Sequence, residues 1–238
     1  MRLRILPQTQ STMADARACL EAGEDVDGIL ALRQTAGTGR LGRPWVTFDA
    51  PQAMACTYIT TQPCAHLPLV AALAVHQALE AEGVGGLALK WPNDVLKNGK
   101  KIAGILCEAT PKGALIGIGL NLTPPPEGPP EGFTGGFAEI APTAASKIIQ
   151  TPETMAEKIG TCLFTALDLY QTHGWPYFTE KYAKACITFG QRIVWHGTTG
   201  TTELTGLARG LNQSGHLEVV ADDGTVHVIS GGDIMAQA

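Results

Sequence analysis

The sequence predicts an α+β protein in which helices pack on a β-sheet and a small β-barrel follows at the C-terminus. Three observations predict it. Apolar runs of strand length, bounded by turn formers, recur between residues 28 and 122. Apolar residues recur at helical spacing in 67–83 and again in 151–186. From about Gly190 the texture changes to short apolar alternations separated by Gly or Asp-Gly turns. With 238 residues, 45% of them hydrophobic, the chain can fill one substantial domain and a small appendage without staples.

The elements follow in order. Residues 11–22 read as a short helix: Ser11 and Thr12 are capping candidates, Asp15 sits in the first turn, and Gly23 ends it. The first strand is expected after it, at Gly28–Gln34, delivering Gln34 and a glycine-rich loop at its C-terminal end. Ala53–Thr61 reads as a second strand. Leu69, Ala72, Leu73, His76 and Leu79 share one helical face of 67–83, which makes His76 a core or groove residue rather than a ligand. Leu87–Trp91 is a strand running into Pro92, which holds the residue before it extended. Asn98-Gly99 is a hairpin turn between Val95–Lys97 and Ile102–Cys107, and Leu115–Leu122 is the next hairpin partner. Pro and Gly interrupt 123–135, a loop to which the sequence assigns no role along its extension to 150. Two helices fill 151–186, broken near Gly174-Trp175-Pro176. The alternations Ile193/Val194, Leu204/Gly206, Leu217/Val219 and Val226/Val228 supply the barrel. No internal repeat and no long charge run is present.

Composition narrows the partners. A formal charge of −5 argues against a generic nucleic-acid or anionic-membrane surface, which needs clustered positive charge. The six cysteines lie far apart with no C-x-x-C pair and no histidine at ligand spacing, so reduced, partly buried thiols are expected. No leader-like segment opens the chain and no apolar run reaches spanning length, which makes the cytoplasm the default compartment.

Two clusters carry the chemistry. Gly37-Thr38-Gly39-Arg40-Leu41-Gly42-Arg43-Pro44-Trp45 places three glycines, two arginines and a tryptophan in nine residues. Glycine lets backbone approach a ligand, and the arginine forks suit carboxylate or phosphate. Taken alone it could also be an exposed turn. The second cluster is Lys90-Trp91-Pro92-Asn93-Asp94, then Lys100-Lys101-Ile102-Ala103-Gly104-Ile105-Leu106-Cys107-Glu108, then Gly117-Ile118-Gly119-Leu120-Asn121. In order and spacing these segments resemble the catalytic domain of biotin protein ligases, with its GxGRxGRxW loop, KWPND segment, KxxGIL-type strand and GxGxN strand. The resemblance extends to Ser11-Thr12, Gln34 and the C-terminal tail, and covers nearly the whole chain.

The resemblance implies a central mixed β-sheet of the class II aminoacyl-tRNA synthetase and biotin ligase type over residues 1–187. An SH3-like barrel would follow over 188–238, with Gly206–Gly210 and Gly231–Ile234 its most family-like segments. It implies the monofunctional type, since only ten residues precede Ser11 where a DNA-binding domain would need several dozen. The implied reaction joins biotin to the α-phosphate of ATP, giving biotinyl-5′-AMP, and then passes biotin to a lysine of the biotin carboxyl carrier protein of acetyl-CoA carboxylase or a related carboxylase. That acceptor would be recognised partly through the barrel. Mg²⁺ is expected with ATP, no nucleic acid or membrane is expected as a partner, and a homodimer through an edge strand is possible.

Carried over position by position, Arg40 and Lys101 would hold the biotin carboxylate and the adenylate phosphate. Counting back from Ala103-Gly104 selects Lys101 over Lys100. Ser11, Thr12, Gln34, Gly37 and Gly104 would complete the biotin site, while Gly39, Arg43, Trp45, Asn93 and Asn121 would border the nucleotide. Asp94 would orient the acceptor lysine or take its proton, and Lys90 would face phosphate. The residues alone leave alternatives open. Ser11 and Thr12 could be helix caps only, Trp45 a hydrophobic anchor of the loop, Asp94 a turn former after Pro92-Asn93, and Lys90 a solvated strand end. Thr38 stands where many family members carry Arg or Lys, so the loop lacks one cation, and activity is expected to survive that loss. The competing readings are a lipoate or octanoate ligase of the same adenylate chemistry, a biotin-dependent repressor, and a non-catalytic biotin sensor.

Overall fold

The computed structural model describes residues 1–45, 48–140, 151–197 and 203–236. The far end of the 123–150 loop, residues 141–150, therefore lies outside the described residues. The first part of the chain runs β1 (Leu3–Leu6), α1 (Thr12–Ala22), β2 (Gly28–Ala31), β3 (Ala53–Thr60), α2 (Leu67–Ala81), β4 (Leu87–Lys90), β5 (Asp94–Lys97), β6 (Lys100–Thr110), β7 (Gly113–Asn121), α3 (Pro152–His173) and α4 (Pro176–Ala185). Seven strands form one mixed sheet in the order β1-β2-β3-β7-β6-β5-β4, with only β1 and β2 parallel.

Two expectations need correction. The first strand precedes α1: Leu3–Leu6 pairs in parallel with Gly28–Ala31, and four residues at a sheet edge carry too short a pattern to be seen without that partner. The strand expected through Gln34 ends at Ala31, and Gln34 instead forms an isolated parallel bridge with Thr9. Other elements follow their local chemistry. Gly23 closes α1 in the left-handed region at φ 69°, returning its N–H to Leu20 and Cys19 carbonyls. Asn98 and Gly99 both have positive φ, 49° and 79°, as the tight hairpin between β5 and β6 requires.

The core forms because the pleat sends alternate residues to opposite faces. Met54, Cys56 and Tyr58 of β3, with Ile116, Ile118 and Leu120 of β7, are buried beneath α2 and α3. The Tyr58 hydroxyl donates to the Ala156 carbonyl of α3 at 2.7 Å. Burial pushes the Cys56 thiol up to about 12 and raises Cys107 as well, so these cysteines behave as small apolar residues. On the opposite face α1 packs Ala16 and Cys19 against Ile29 and Leu115.

The C-terminal part holds β8 (Arg192–His196), β9 (Glu203–Leu211), β10 (Leu217–Val220), β11 (Val226–Ile229) and β12 (Asp233–Ala236). They form an antiparallel sheet ordered β11-β10-β9-β8-β12. Where a barrel was expected, the ladder stays open among the described residues, since β12 returns to β8 and does not meet β11. Its inward residues Ile193, Ala208, Leu217, Val219, Ile229 and Ile234 join the same apolar cluster as the large sheet.

Trp91 makes that junction. It is 2% exposed, its backbone N–H donates to Thr188 Oγ1 at 3.0 Å, and its indole N–H donates to the Gly215 carbonyl at 3.1 Å. Nearby, His66 Nε2 donates to the Gln213 carbonyl at 2.9 Å while its ring stacks on Trp175 at 4.6 Å. Trp91→Ala is expected to lower stability by about 3–5 kcal/mol through lost burial and an open cavity. Trp91→Phe, which mainly loses the indole bond, should cost about 1–3 kcal/mol. Urea unfolding followed by circular dichroism checks both, and equal midpoints for Trp91→Ala and wild type would remove Trp91 from this role.

Candidate active site

Residues paired directly across strands point to the same face of a sheet, so the register lays out the site floor. One row runs Ala55, Gly119, Gly104, Asp94, Lys90 across β3, β7, β6, β5 and β4. The row beside it runs Thr57, Gly117, Leu106. Because α1 covers only one end of this face, the rows form the floor of a cleft of about 760 Å³. Ala55, Gly119 and Gly104 make a trough of near-bare backbone, and two charged residues close its far end. A ligand laid there meets peptide groups at close range.

The opposite end is a polar corner. Thr12, expected as a cap, is instead the first helical residue of α1. Its N–H and its hydroxyl donate to Gln34 Oε1 at 2.9 and 3.1 Å, and the buried Thr57 hydroxyl donates to Thr12 Oγ1 at 2.9 Å. Ser11 does occupy the N-cap position, but its hydroxyl makes no capping bond. With the Gln34 carbonyl turned to Thr12, its NH₂ and the Ser11 hydroxyl are left for a ligand, as neither has a protein partner among the described residues.

The glycine loop folds across the trough. Trp45 N–H donates to the Gly37 carbonyl at 2.9 Å and Gly39 N–H to the Arg43 carbonyl at 2.7 Å, with Leu41 and Gly42 at positive φ in the turn between. These two amides serve the loop's own turn. The Trp45 indole lies flat on the bare strands: a Cβ on Gly119 would stand 2.4 Å from its Cε2, and one on Gly104 3.0 Å from its Cζ3. Lys101 Nζ sits 5.3 Å from the ring centroid, and the indole N–H is buried without a partner among the described residues.

Lys101 Nζ and Asp94 Oδ1 form an ion pair at 2.7 Å, with side chains 38% and 20% exposed. Arg40 Nη1 donates to Asn93 Oδ1 at 3.0 Å and Nη2 to the Gly232 carbonyl at 3.4 Å. Asn93 is itself held by donation from Nδ2 to the Ile105 carbonyl at 2.8 Å. Arg43 turns outward to an exposed pair with Asp233 on β12, which raises the guanidinium further above its ordinary value. Asn121 Nδ2 donates to the Gly136 carbonyl at 3.0 Å, and its Oδ1 is buried with no partner among the described residues.

Of the residues singled out from sequence, Ser11, Thr12, Gln34, Gly39, Arg40, Arg43, Trp45, Lys90, Asn93, Asp94, Lys101, Gly104 and Asn121 line this one cleft. Gly37 does not line it and acts through its carbonyl on Trp45. His76 is half-buried on α2, where burial lowers its pKa. Sequence reasoning missed Met13, the Gly132–Gly135 segment and the β8–β12 corner at His196 and Asp233, which line the cleft, and the buried Thr57 that braces Thr12 from behind. The one available signal was Phe133, an aromatic set among glycines, which meets Phe48 and Phe137 at centroid distances of 5.3 and 5.5 Å.

Comparison with known proteins places this arrangement in a lineage. Residues 5–122 match the model of the biotin/lipoate A/B protein ligase family. A biotin–[acetyl-CoA-carboxylase] ligase of Mycobacterium tuberculosis is 32% identical over 98% of this chain and 88% of its own length. A protein of the same name from Paracoccus denitrificans is 31% identical over 90% of this chain and 92% of its own. Among solved structures, the biotin protein ligase of Aquifex aeolicus in complex with biotin and ATP superposes with a TM-score of 0.80 at 24% identity, covering 99% of this chain and 98% of that one. At this identity and coverage relatives share descent along nearly the whole chain, and the chain belongs to the biotin/lipoate A/B protein ligase family as one of its biotin protein ligases.

Proposed function

We infer that this protein is an ATP-dependent biotin protein ligase that forms biotinyl-5′-AMP and transfers biotin to a lysine of the biotin carboxyl carrier protein of a carboxylase. The observation that carries the reading is the trough of Gly119 and Gly104, from which the Trp45 indole must lift as biotin enters; the trough runs from the Thr12–Gln34 corner to the Lys101–Asp94 pair. Its two ends suit the two ends of biotin. The ureido ring needs donors and acceptors among apolar walls, which Ser11, Thr12 and Gln34 offer. The valeryl carboxylate then reaches toward Lys101 and Arg40.

In the first half-reaction a carboxylate oxygen bonds to the α-phosphorus of ATP while the bond to pyrophosphate breaks. Two anions must meet, so fixed cations and positioning carry most of the barrier reduction. Lys101 stands beside the trough, and Asn93 aims Arg40 from the other side. The loop 37–45 screens the mixed anhydride from water, with Trp45 against the base and Asn121 Oδ1 as an acceptor for it. Lys90 and Arg43 add positive charge for phosphate, Arg43 on release from Asp233. Mg²⁺ is expected as the counter-ion of ATP and would be carried mainly by the phosphates. Asp94 and Asp233 are each paired with a cation, so no protein ligand for it is assigned. In the second half-reaction the acceptor amine attacks the acyl carbon, AMP leaves with the bonding pair, and Asp94 receives or orients the amine proton.

The proposal includes the division into a catalytic part, 1–187, and an SH3-like part, 188–238, with the open C-terminal sheet as the latter's frame. It also includes a homodimer built on an edge strand, no nucleic-acid partner, and a cytoplasmic setting. That setting accords with the six free cysteines.

ATP–pyrophosphate exchange with biotin, lipoate and octanoate tests the reading. Biotin should support exchange about 10³-fold better than either fatty acid, because those leave the polar corner unpaired. Exchange driven by lipoate or octanoate would assign the chain to the other branch of its family.

A further inference from the structure

Met13 enters neither the fold nor the chemistry described so far, yet it lines the cleft beside the polar corner. It is the second residue of α1, next to Thr12, and its half-buried side chain leans from the Ala16–Cys19 cluster over β7. There it lies above Gly117: a Cβ added to Gly117 would stand 2.8 Å from Met13 Sδ and 3.3 Å from its Cγ. Gly117 is paired directly with Thr57, whose hydroxyl anchors Thr12. The thioether and the missing side chain therefore share one small volume at the closed end of the trough.

We propose that Met13 and Gly117 form a paired end wall that sets the size of ring the cleft accepts, a specificity determinant for the acid substrate. The proposal rests on the ligase reading and adds which residues gauge the ring. A methionine side chain is unbranched and adapts its shape to a ligand, but only while nothing larger than hydrogen occupies position 117. Removing the thioether enlarges the closed end. Adding a methyl group at Gly117 drives the thioether into the cleft and shrinks it. Doing both gives the new methyl room and leaves the closed end larger than in the wild type.

The test is a double-mutant cycle on the full chain with Met13→Ala, Gly117→Ala and the pair. Biotin KM is read in pyrophosphate exchange and biotin Kd by calorimetry. Gly117→Ala is expected to raise biotin KM about 10-fold, the usual effect of one misfitted methylene-sized volume in an apolar pocket, and Met13→Ala, which removes three heavy atoms, by at least about 10-fold. The double variant should have a biotin KM no higher than that of Met13→Ala alone, since the added methyl then meets no thioether, with ATP KM unchanged throughout. Met13→Leu, close in volume, should stay within about 3-fold as well. A double variant whose KM increase is the product of the two single increases, or a Met13→Ala protein with wild-type biotin KM, would overturn the end wall while leaving the ligase reading intact. A wild type that neither exchanges with biotin nor binds it would overturn both.

Discussion

Lys101→Ala is expected to cut biotin-dependent pyrophosphate exchange by about 10³-fold, the range lost when one preorganised charge at a transition state is removed. The size of the effect follows from where Lys101 stands. Its ammonium is 2.7 Å from Asp94 and 5.3 Å from the Trp45 ring centroid, at the end of the trough where a bound carboxylate would approach phosphate. Its side chain is 38% exposed, so its part in stability is small, and the melting temperature should move by only a few degrees. Arg40→Ala should follow the same pattern, since its guanidinium is aimed into the site by Asn93 and Gly232 rather than packed in the core. Exchange by Lys101→Ala within about 10-fold of wild type would remove Lys101 from the adenylation step.

Asp94→Ala should separate the two half-reactions. Transfer from preformed biotinyl-5′-AMP to the carrier protein is expected to slow by about 10²-fold or more, the usual contribution of a positioned base. Pyrophosphate exchange should fall by no more than about 10-fold, since the cations it needs remain. Asp94→Asn keeps the shape but not the carboxylate, so it should transfer as slowly as Asp94→Ala. Single-turnover transfer read beside exchange decides the matter: equal losses in both half-reactions would mean that Asp94 serves chiefly to hold Lys101 and has no separate role with the acceptor amine.

The two residues were visible in the sequence for different reasons. Lys101 and Asp94 lie seven positions apart, across the Asn98-Gly99 turn, and that turn signals a hairpin. The strands expected on either side of it, Val95–Lys97 and Ile102–Cys107, stop one residue short of both, and the observed strands extend to include them. Helices α1 to α4 were legible because helical periodicity and capping are local properties, carried within a few turns of chain. β1 was not, since four edge residues gain their order from β2, more than twenty positions away. The C-terminal alternations signalled four short strands, β8 to β11, and not β12; the closure of the sheet depends on which strand β12 meets, and it meets β8.

The sequence by itself determined which chemical groups the protein brings to its substrates: two arginines in a glycine loop, a lysine before Ala103-Gly104, an aspartate after Pro92-Asn93 and the Gly117-Ile118-Gly119-Leu120-Asn121 strand. Those groups are specified by side-chain identity and spacing, and their family resemblance can be read without coordinates. Only the tertiary structure decided that Gly119 lies opposite Gly104 to make a trough and that Trp45 rests on both. It also decided that Thr12 turns from a cap into a partner of Gln34, that Met13 overhangs Gly117, and that Arg43 reaches the last strand. Each of these depends on cross-strand register or on contacts between distant segments, and a one-residue slip in register would send every side chain of a strand to the other face.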